Sequence, residues 1–372
     1  MRIGIDARFY GSIGKGLGRY TQKLIENLEK TDQENLYFIF LRKDNFDEYQ
    51  PKNKNFKKVL ADYRWYTLAE QIRMPSLLNK YNLDLVHFPH FNVPLFYRKK
   101  FIVTIHDLIL IHFPTIKGTT LNPLFYKLKF WMYKLAINSA IKRSEKIIAV
   151  SNFTKEDILS NYKVNSDKIS VAYEACDDFC NFSIQKSRDI LEKYGIIKPY
   201  ILYVGNAYPH KNLEELVLAF SQIKEEIKNL RLVLVGKEDY FYTRLKKIIQ
   251  ARKIEKVIFS GFVPDKDLDT IYREAELYVF PSLYEGFGLP PLEAMAKGVP
   301  VISSDHPCMR EILEDSAFYF NAKNRDEMAE KIKNLIRNTE EIKKLREKGY
   351  QQSKKYSWNK MAGETLKIYK EI

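Results

Sequence analysis

Two glutamates eight positions apart, Glu285 and Glu293, carry the richest chemistry in this 372-residue chain. They lie in AELYVFPSLYEGFGLPPLEAMAKGVPVISSD, residues 275–305. A carboxylate accepts two hydrogen bonds at once, which suits a vicinal pair of hydroxyls. One such group on a sugar and one on a ribose, with backbone N–H donors for phosphate between them, would hold a nucleotide sugar. Taken singly, each glutamate could equally be a solvated charge, since carboxylates ordinarily stay in water.

The elements that must position them are readable nearby. LYVFPS is an apolar, β-prone run and predicts a buried strand. Gly286 and Gly288 follow, then Pro290 and Pro291, which suit a first helical turn because a missing N–H costs nothing there. The helix is short, about LEAMAK, and Gly298 stands where a left-handed cap residue is wanted. Pro300 opens a second strand, VPVIS. The result is a strand–loop–helix–strand unit of a parallel sheet, its glycine loop at the carboxyl end of a strand, where open α/β sheets bind ligands. Glycines let a ligand approach the backbone, and the helix start offers N–H donors and a favourable dipole for anions. Gly286, Phe287, Gly288 and Leu289 are the candidate backbone contacts.

EGFGLPPLE resembles the E-x7-E motif of retaining glycosyltransferases of family 4. The match continues through AMAKGVPVISSD and, more weakly, over nearly the whole chain, with similarity to the bacterial polysaccharide mannosyltransferases. The resemblance implies the α/β architecture called GT-B, two doubly wound parallel-sheet, Rossmann-like domains facing across a cleft. It implies transfer of a hexose, mannose favoured, from a nucleotide diphosphate sugar to a hydroxyl, with anomeric retention; GDP-mannose is the favoured donor. Glu285 would then bind the donor sugar and Glu293 the ribose. A carbohydrate or lipid-linked acceptor is expected.

Three further positions gain roles from this resemblance. FIVTIHD is a strand with His106 and Asp107 at its carboxyl end. By itself His106 is a satisfied strand-end residue or a hydrogen-bonding partner for a sugar hydroxyl; the family's HD pair contacts the transferred sugar, which gives His106 that role and Asp107 an orienting one. YILYVGNAYPHKN runs from a strand into a helix mouth bearing Lys211. A lysine there is either solvated or placed to neutralise a diphosphate leaving group. The family has an Arg shortly after the strand's glycine and a Lys five residues on. Here Lys211 fills the second place but Asn206 the first, which leaves the leaving group to Lys211, helix N-termini and His210. RIGID, a loop with Gly11, Gly14, Gly16 and Gly18, and a helix from about Arg19 through Leu28 open the chain. The spacing fits neither a Walker motif nor a dinucleotide fingerprint, but GLGRY resembles the family's donor-facing loop and makes Gly16 a candidate backbone contact. Val263 and Pro264 lie where the family holds the nucleobase.

Composition bounds the rest. The length predicts two domains, and 45% hydrophobic and 14% aromatic residues argue against disorder. The expected boundaries are 1–180 and 181–354, with 355–372 returning to the first domain as a terminal helix anchored by Trp358. Lys+Arg number 61 against 47 Asp+Glu, a formal charge of +14, which attracts phosphate-rich substrates, anionic headgroups or nucleic acid. No nucleic-acid recognition module is present, and no nucleic-acid partner is expected. Three cysteines cannot make a disulfide framework, the start reads as a strand rather than a signal peptide, and no apolar run approaches the ~20 residues needed to span a bilayer. The expected location is cytoplasmic, with a peripheral place at the inner face of the membrane open because residues 117–146 carry aromatics and leucines at helical spacing with interleaved lysines. That helix is either core-facing with a solvated basic face or interfacial on anionic lipid. His87 and His90 read as ordinary loop or core histidines rather than metal ligands, and neither a metal nor a cofactor is expected. Asp177-Asp178 lies in the linker rather than at a strand end. Ser151 reads as a helix N-cap. The alternatives are a non-catalytic GT-B sugar- or lipid-binding protein, favoured by Asn206, a GT-B epimerase, or a phosphorylase, which needs a cofactor-binding lysine and usually a much longer chain.

Overall fold

A computed structural model describes residues 1–11, 15–114, 123–176, 184–227 and 229–372. Gly14, the expected start of the basic helix at Lys117, the Asp177-Asp178 pair and Cys180 lie outside the described residues. The chain divides into two units, Met1–Glu174 with Ser357–Ile372, and Ala175–Tyr356.

The first unit runs β1 (Arg2–Asp6), α1 (Lys15–Thr31), β2 (Leu36–Leu41), β3 (Phe56–Leu60), α2 (Leu68–Lys80), β4 (Leu85–Phe88), β5 (Phe101–Ile105), α3 (Ile109–His112), α4 (Pro123–Arg143), β6 (Lys146–Ala149), α5 (Asn152–Asn161) and β7 (Ile169–Val171). The second runs α6 (Ile184–Lys193), β8 (Tyr200–Val204), α7 (Leu213–Ile223), β9 (Arg231–Val235), α8 (Tyr240–Ala251), β10 (Val257–Gly261), α9 (Asp265–Arg273), β11 (Leu277–Phe280), α10 (Leu289–Ala296), β12 (Val301–Ser304), α11 (Pro307–Leu313), β13 (Phe318–Phe320), α12 (Arg325–Arg337) and α13 (Thr339–Ser353). The last helix, α14 (Trp358–Lys370), belongs to the first unit and packs on α1.

Among the described residues, the first sheet has the order β3-β2-β1-β4-β5-β6-β7 and the second β10-β9-β8-β11-β12-β13, with every pairing parallel. Parallel strands covered by helices on both faces need apolar residues at every position rather than at alternate ones. β5 (FIVTI) and β11 (LYVF) are buried throughout. In both sheets the order reverses beside the first strand, between β1 and β4 and between β8 and β11. Loops at such a switch point diverge to opposite faces and leave a crevice at the carboxyl ends of the strands.

Helices form where apolar residues recur on one stripe. In α1 Tyr20, Leu24, Ile25 and Leu28 are fully buried, the three-to-four spacing of a core-facing helix. Starts are capped by side-chain oxygens: Thr67 accepts from the Glu70 N–H, Ser151 from that of Thr154, as expected, and Ser357 from that of Lys360. Gly18 allows the close approach of α1 to the first loop, because a Cβ there would lie 2.1 Å from the Gly11 carbonyl oxygen.

Several elements differ from the sequence expectation. The lysine- and asparagine-rich stretch after β2, which shows no strand pattern, contains β3, an edge strand whose buried Phe56 and Val59 are separated by Lys57 and Lys58. Charge on an outer strand protects an open edge and disguises it as a loop. α1 begins at Lys15 and α10 at Leu289, each a few residues before the expected start. α4 has a buried stripe and an exposed one. Tyr133, Ile137, Ala140 and Ile141 are buried, while Leu128, Trp131 and Met132 are exposed beside exposed Lys127, Lys129 and Lys134. Among the described residues no helix is long and apolar enough to cross a membrane.

Candidate functional site

In the second unit two of the predicted residues, Lys211 and Glu285, meet at the switch point between β8 and β11. Lys211 ends a short 3-10 turn after β8, and Glu285 follows β11 on the neighbouring strand. Their side chains meet, Lys211 Nζ donating to Glu285 Oε1 at 2.5 Å. The backbone repeats this link, since the Leu283 N–H donates to the His210 carbonyl at 2.7 Å. Glu285 is 7% exposed. Burial alone would raise its pKa, but the charge of Lys211, the neighbouring His210 and the Lys211 hydrogen bond outweigh that and hold it below the usual glutamate value. His210 is pushed down to about 4, by burial first and by the Lys211 charge second. It is therefore a neutral ring at neutral pH, and its charge acts on Glu285 only in the acid range.

Gly286, Phe287 and Gly288 lead from Glu285 into α10, and all three are buried. Gly288 is the N-cap with φ +92°, and a Cβ on it would lie 2.4 Å from Met309 Cε. Both the backbone angle and the neighbour demand glycine. Pro290 and Pro291 occupy the first turn, so α10 opens at Leu289 with its amino end directed at the Glu285 loop. Glu293, 8% exposed on the second turn, accepts from the Tyr272 hydroxyl at 3.1 Å. Two acids eight apart are thus both buried, one paired with an ammonium and one with a phenol.

Asn206 lies at the end of β8, and its Oδ1 accepts from the Tyr208 N–H at 3.3 Å. The Asn206 carbonyl accepts from the Tyr203 hydroxyl at 2.8 Å. Val263 follows β10 and is 4% exposed.

In the first unit, His106 stands at the carboxyl end of β5, one strand from the switch point. Both ring nitrogens are engaged: Nδ1 lies 2.7 Å from Glu174 Oε1, and Nε2 lies 2.9 Å from the Pro89 carbonyl oxygen. Burial alone would lower the ring's pKa, but the Glu174 hydrogen bond and charge, the Pro89 carbonyl and Asp107 more than offset it and raise the value. The Tyr20 ring meets the imidazole edge-on at 4.7 Å between centroids. Tyr20 is the tyrosine of GLGRY, and its hydroxyl is 3.1 Å from Thr104 Oγ1. Thr104 Oγ1 is 2.8 Å from His87 Nε2, and His87 Nδ1 is 2.7 Å from the Tyr369 hydroxyl. A buried polar chain therefore ties α14, β4, β5 and α1 together, and His87 is one of its members, as a core histidine should be. Its pKa is pushed down to about 3 by burial. Asp107 accepts from the Ile109 N–H at 3.0 Å and so shapes the turn into α3. Gly16 is exposed on the first turn of α1 with open space around it.

Sequence reasoning did not single out Glu174 or Arg8. Arg8 is fully buried after β1, donating to both Asp6 oxygens at 2.7 Å and paired with Glu70 Oε1 at 2.7 Å. Glu70 also accepts from the Tyr66 N–H and from Asn92 Nδ2, each at 2.7 Å. This network fixes the segment 63–66 and the loop after β4 against the end of β1. A fully buried arginine with two acids has little local signature, because Asp6 stands two residues away but Glu70 comes from α2.

Comparison with known proteins adds to this geometry. Residues 14–178 match the family described as Glycosyltransferase Family 4, and residues 186–352 match Glycosyl transferases group 1. The chain is 28% identical over 335 residues to the O-antigen chain mannosyltransferase RfbU of Salmonella typhimurium, covering 87% of this chain and 88% of the other. It is 27% identical over 374 residues to O-antigen chain mannosyltransferase B of Escherichia coli, covering 95% and 96%. Among solved structures, the sucrose-phosphate synthase of Thermosynechococcus elongatus superposes with a TM-score of 0.79 at 18% identity, covering 100% and 98%.

Proposed function

The chain belongs to the glycosyltransferases of group 1 and family 4, in the GT-B fold, and from that we propose that it is a retaining hexosyltransferase. It would move a hexose from a nucleotide diphosphate sugar to a hydroxyl of a carbohydrate or lipid-linked acceptor. Mannose is the favoured sugar and GDP-mannose the favoured donor, since both full-length relatives are named as O-antigen chain mannosyltransferases.

The observation that carries this reading is the buried Lys211–Glu285 pair at the switch point of the second sheet, beside the amino end of α10. A diphosphate entering there would meet an ammonium, backbone N–H groups from Gly286 to Leu289 and the Asn206 amide, all of which favour anions. Glu285 would accept from the sugar's hydroxyls and stabilise positive charge developing at the anomeric carbon. Glu293 would accept from the ribose hydroxyls, with Tyr272 fixing its orientation. Val263 would present its backbone to the base, and Gly16 and His106 would act from the first unit. The anomeric C–O bond to phosphate breaks as the bond to the acceptor oxygen forms on the same face, and the acceptor proton passes to the leaving diphosphate oxygen. Lys211 and the helix dipole supply the positive field in this scheme, so it requires no metal.

Calorimetric titration with GDP-, UDP-, ADP- and dTDP-sugars tests the assignment. One nucleotide should bind selectively and be turned over with the product's anomeric configuration unchanged by NMR. Binding of none of the four would remove the reading in favour of a non-catalytic protein, and binding with the sugar's stereochemistry changed and no transfer would favour an epimerase.

A peripheral place on an anionic membrane is a second part of the proposal. Leu128, Trp131 and Met132 stand exposed at i, i+3 and i+4 on α4, with Lys127, Lys129 and Lys134 alongside. Such a basic, apolar stripe suits a headgroup boundary. Co-sedimentation with anionic vesicles that weakens in Trp131→Ala and in high salt supports it; equal sedimentation with neutral vesicles removes the electrostatic part, and none at all removes the whole.

A further inference from the structure

We infer that Glu174 is a positioning residue of the transfer reaction, holding His106 as an imidazolium that carries charge and cannot act as a base. The inference rests on the transferase reading for its catalytic consequence, but the protonation state itself follows from the hydrogen bonds.

The Pro89 carbonyl oxygen can only accept, so the nitrogen 2.9 Å from it, Nε2, carries a proton. Nδ1 and Glu174 Oε1 are 2.7 Å apart. Two lone pairs do not face one another at that distance in a buried site, so a second proton lies between them. Imidazole is the stronger base of the two by about two pKa units, which places this proton on the ring. His106 is then a cation with both N–H groups committed, paired with a carboxylate whose side chain is 8% exposed. His87 shows the contrast. Its partners are two hydroxyls, Thr104 and Tyr369, which can each give or take a proton, so its ring stays neutral.

The groups facing His106 agree with this state. Glu174 and Asp107 are the acids that favour its charge. His87 and His90, both of which feel the His106 charge, have values pushed down to about 3, burial being the larger cause. The Tyr20 ring stands at 89° to the imidazole and keeps its phenolic proton, its pKa raised by burial first. Glu174 is also the last residue of the first unit before the chain enters the second, so the lock anchors the end of that unit to β5.

Two consequences follow for catalysis. With no lone pair on either nitrogen, His106 cannot take the acceptor's proton, which must go to the leaving diphosphate oxygen. And the ring supplies a fixed positive charge at the carboxyl end of β5.

Nitrogen-15 NMR of the histidine rings in the full-length protein, with Glu174→Gln as the variant, is the test. In the wild type His106 should show two N–H groups and imidazolium shifts at pH 7, above the ordinary histidine value. In Glu174→Gln the ring should become the neutral Nε2–H tautomer at pH 7, and kcat at that pH should fall at least tenfold, recover toward pH 5, and leave the donor KM unchanged. A neutral His106 in the wild type at pH 7 overturns the lock, and that measurement needs no variant. A Glu174→Gln enzyme with the wild-type pH profile overturns the catalytic consequence. Absence of turnover in the wild type counts instead against the transferase reading, while the NMR result stands by itself.

Discussion

The Lys211 ammonium and the Glu285 carboxylate, 2.5 Å apart, join the loops after β8 and β11 across the point where the second sheet reverses its strand order. Glu285 is buried and Lys211 partly so, and each neutralises the other. A ligand that brings its own negative charge for Lys211 and its own hydroxyls for Glu285 replaces the pair with two bonds of equal type. Ligand and pair thus exchange partners instead of leaving a buried charge alone.

Lys211→Ala should therefore cost stability as well as activity. Removing one partner of a buried pair costs about 3 kcal/mol. Glu285 has a folded pKa below its ordinary value, so its contribution is present above that ordinary value and is lost as pH falls through the folded one. Urea denaturation should show a large deficit for Lys211→Ala at pH 7 and a smaller one near pH 3. A deficit independent of pH would mean that packing, not charge, holds the pair.

Gly288→Ala forces a side chain into a left-handed cap and against Met309 Cε. Backbone strain of this kind costs about 1–3 kcal/mol, and the clash adds to it. Thermal denaturation should show the loss. Met309→Ala in the same chain should recover only part of it, because the φ angle remains; full recovery would show that the clash was the entire cause.

Arg8→Met tests the first unit in the same way. It leaves Asp6 and Glu70 buried together without their cation, at a cost of about 3–5 kcal/mol. Arg8→Met with Glu70→Gln should be less damaging than Arg8→Met alone, as chemical denaturation can measure. A double variant at least as unstable as the single one would contradict the charge account.

The His106–Glu174 pair predicts a pH dependence of opposite sense to Glu285. A histidine whose folded pKa is raised contributes stability that is fully present below its ordinary value and is lost as pH rises through the folded one. The stability gap between wild type and Glu174→Gln should be wider at pH 6 than at pH 9. A gap that widens toward pH 9 would reverse the assignment.

Much of this was legible in the sequence. The two sheets announce themselves as short apolar runs at β1, β5, β8 and β11, and EGFGLPPLE gives both the turn and its two acids. β3 escaped because Lys57 and Lys58 interrupt its apolar residues. Glu285 and Lys211 could each be named alone, but their mutual bond could not, because the pairing of β8 with β11 that unites them is non-local. Glu174 escaped for a related reason. It stands in a polar stretch that reads as linker, and its importance comes from His106, a residue of another strand. Arg8 was hidden likewise, since a buried cation is distinguishable from an exposed one only through the acids the fold brings to it.

The most direct measurement is nucleotide-sugar turnover by Glu285→Ala, with circular dichroism and denaturation confirming that it folds. The account predicts transfer reduced by at least a thousandfold, about 4 kcal/mol of transition-state stabilisation, with binding of the free nucleotide retained. Transfer at the wild-type rate in a folded Glu285→Ala protein would contradict it.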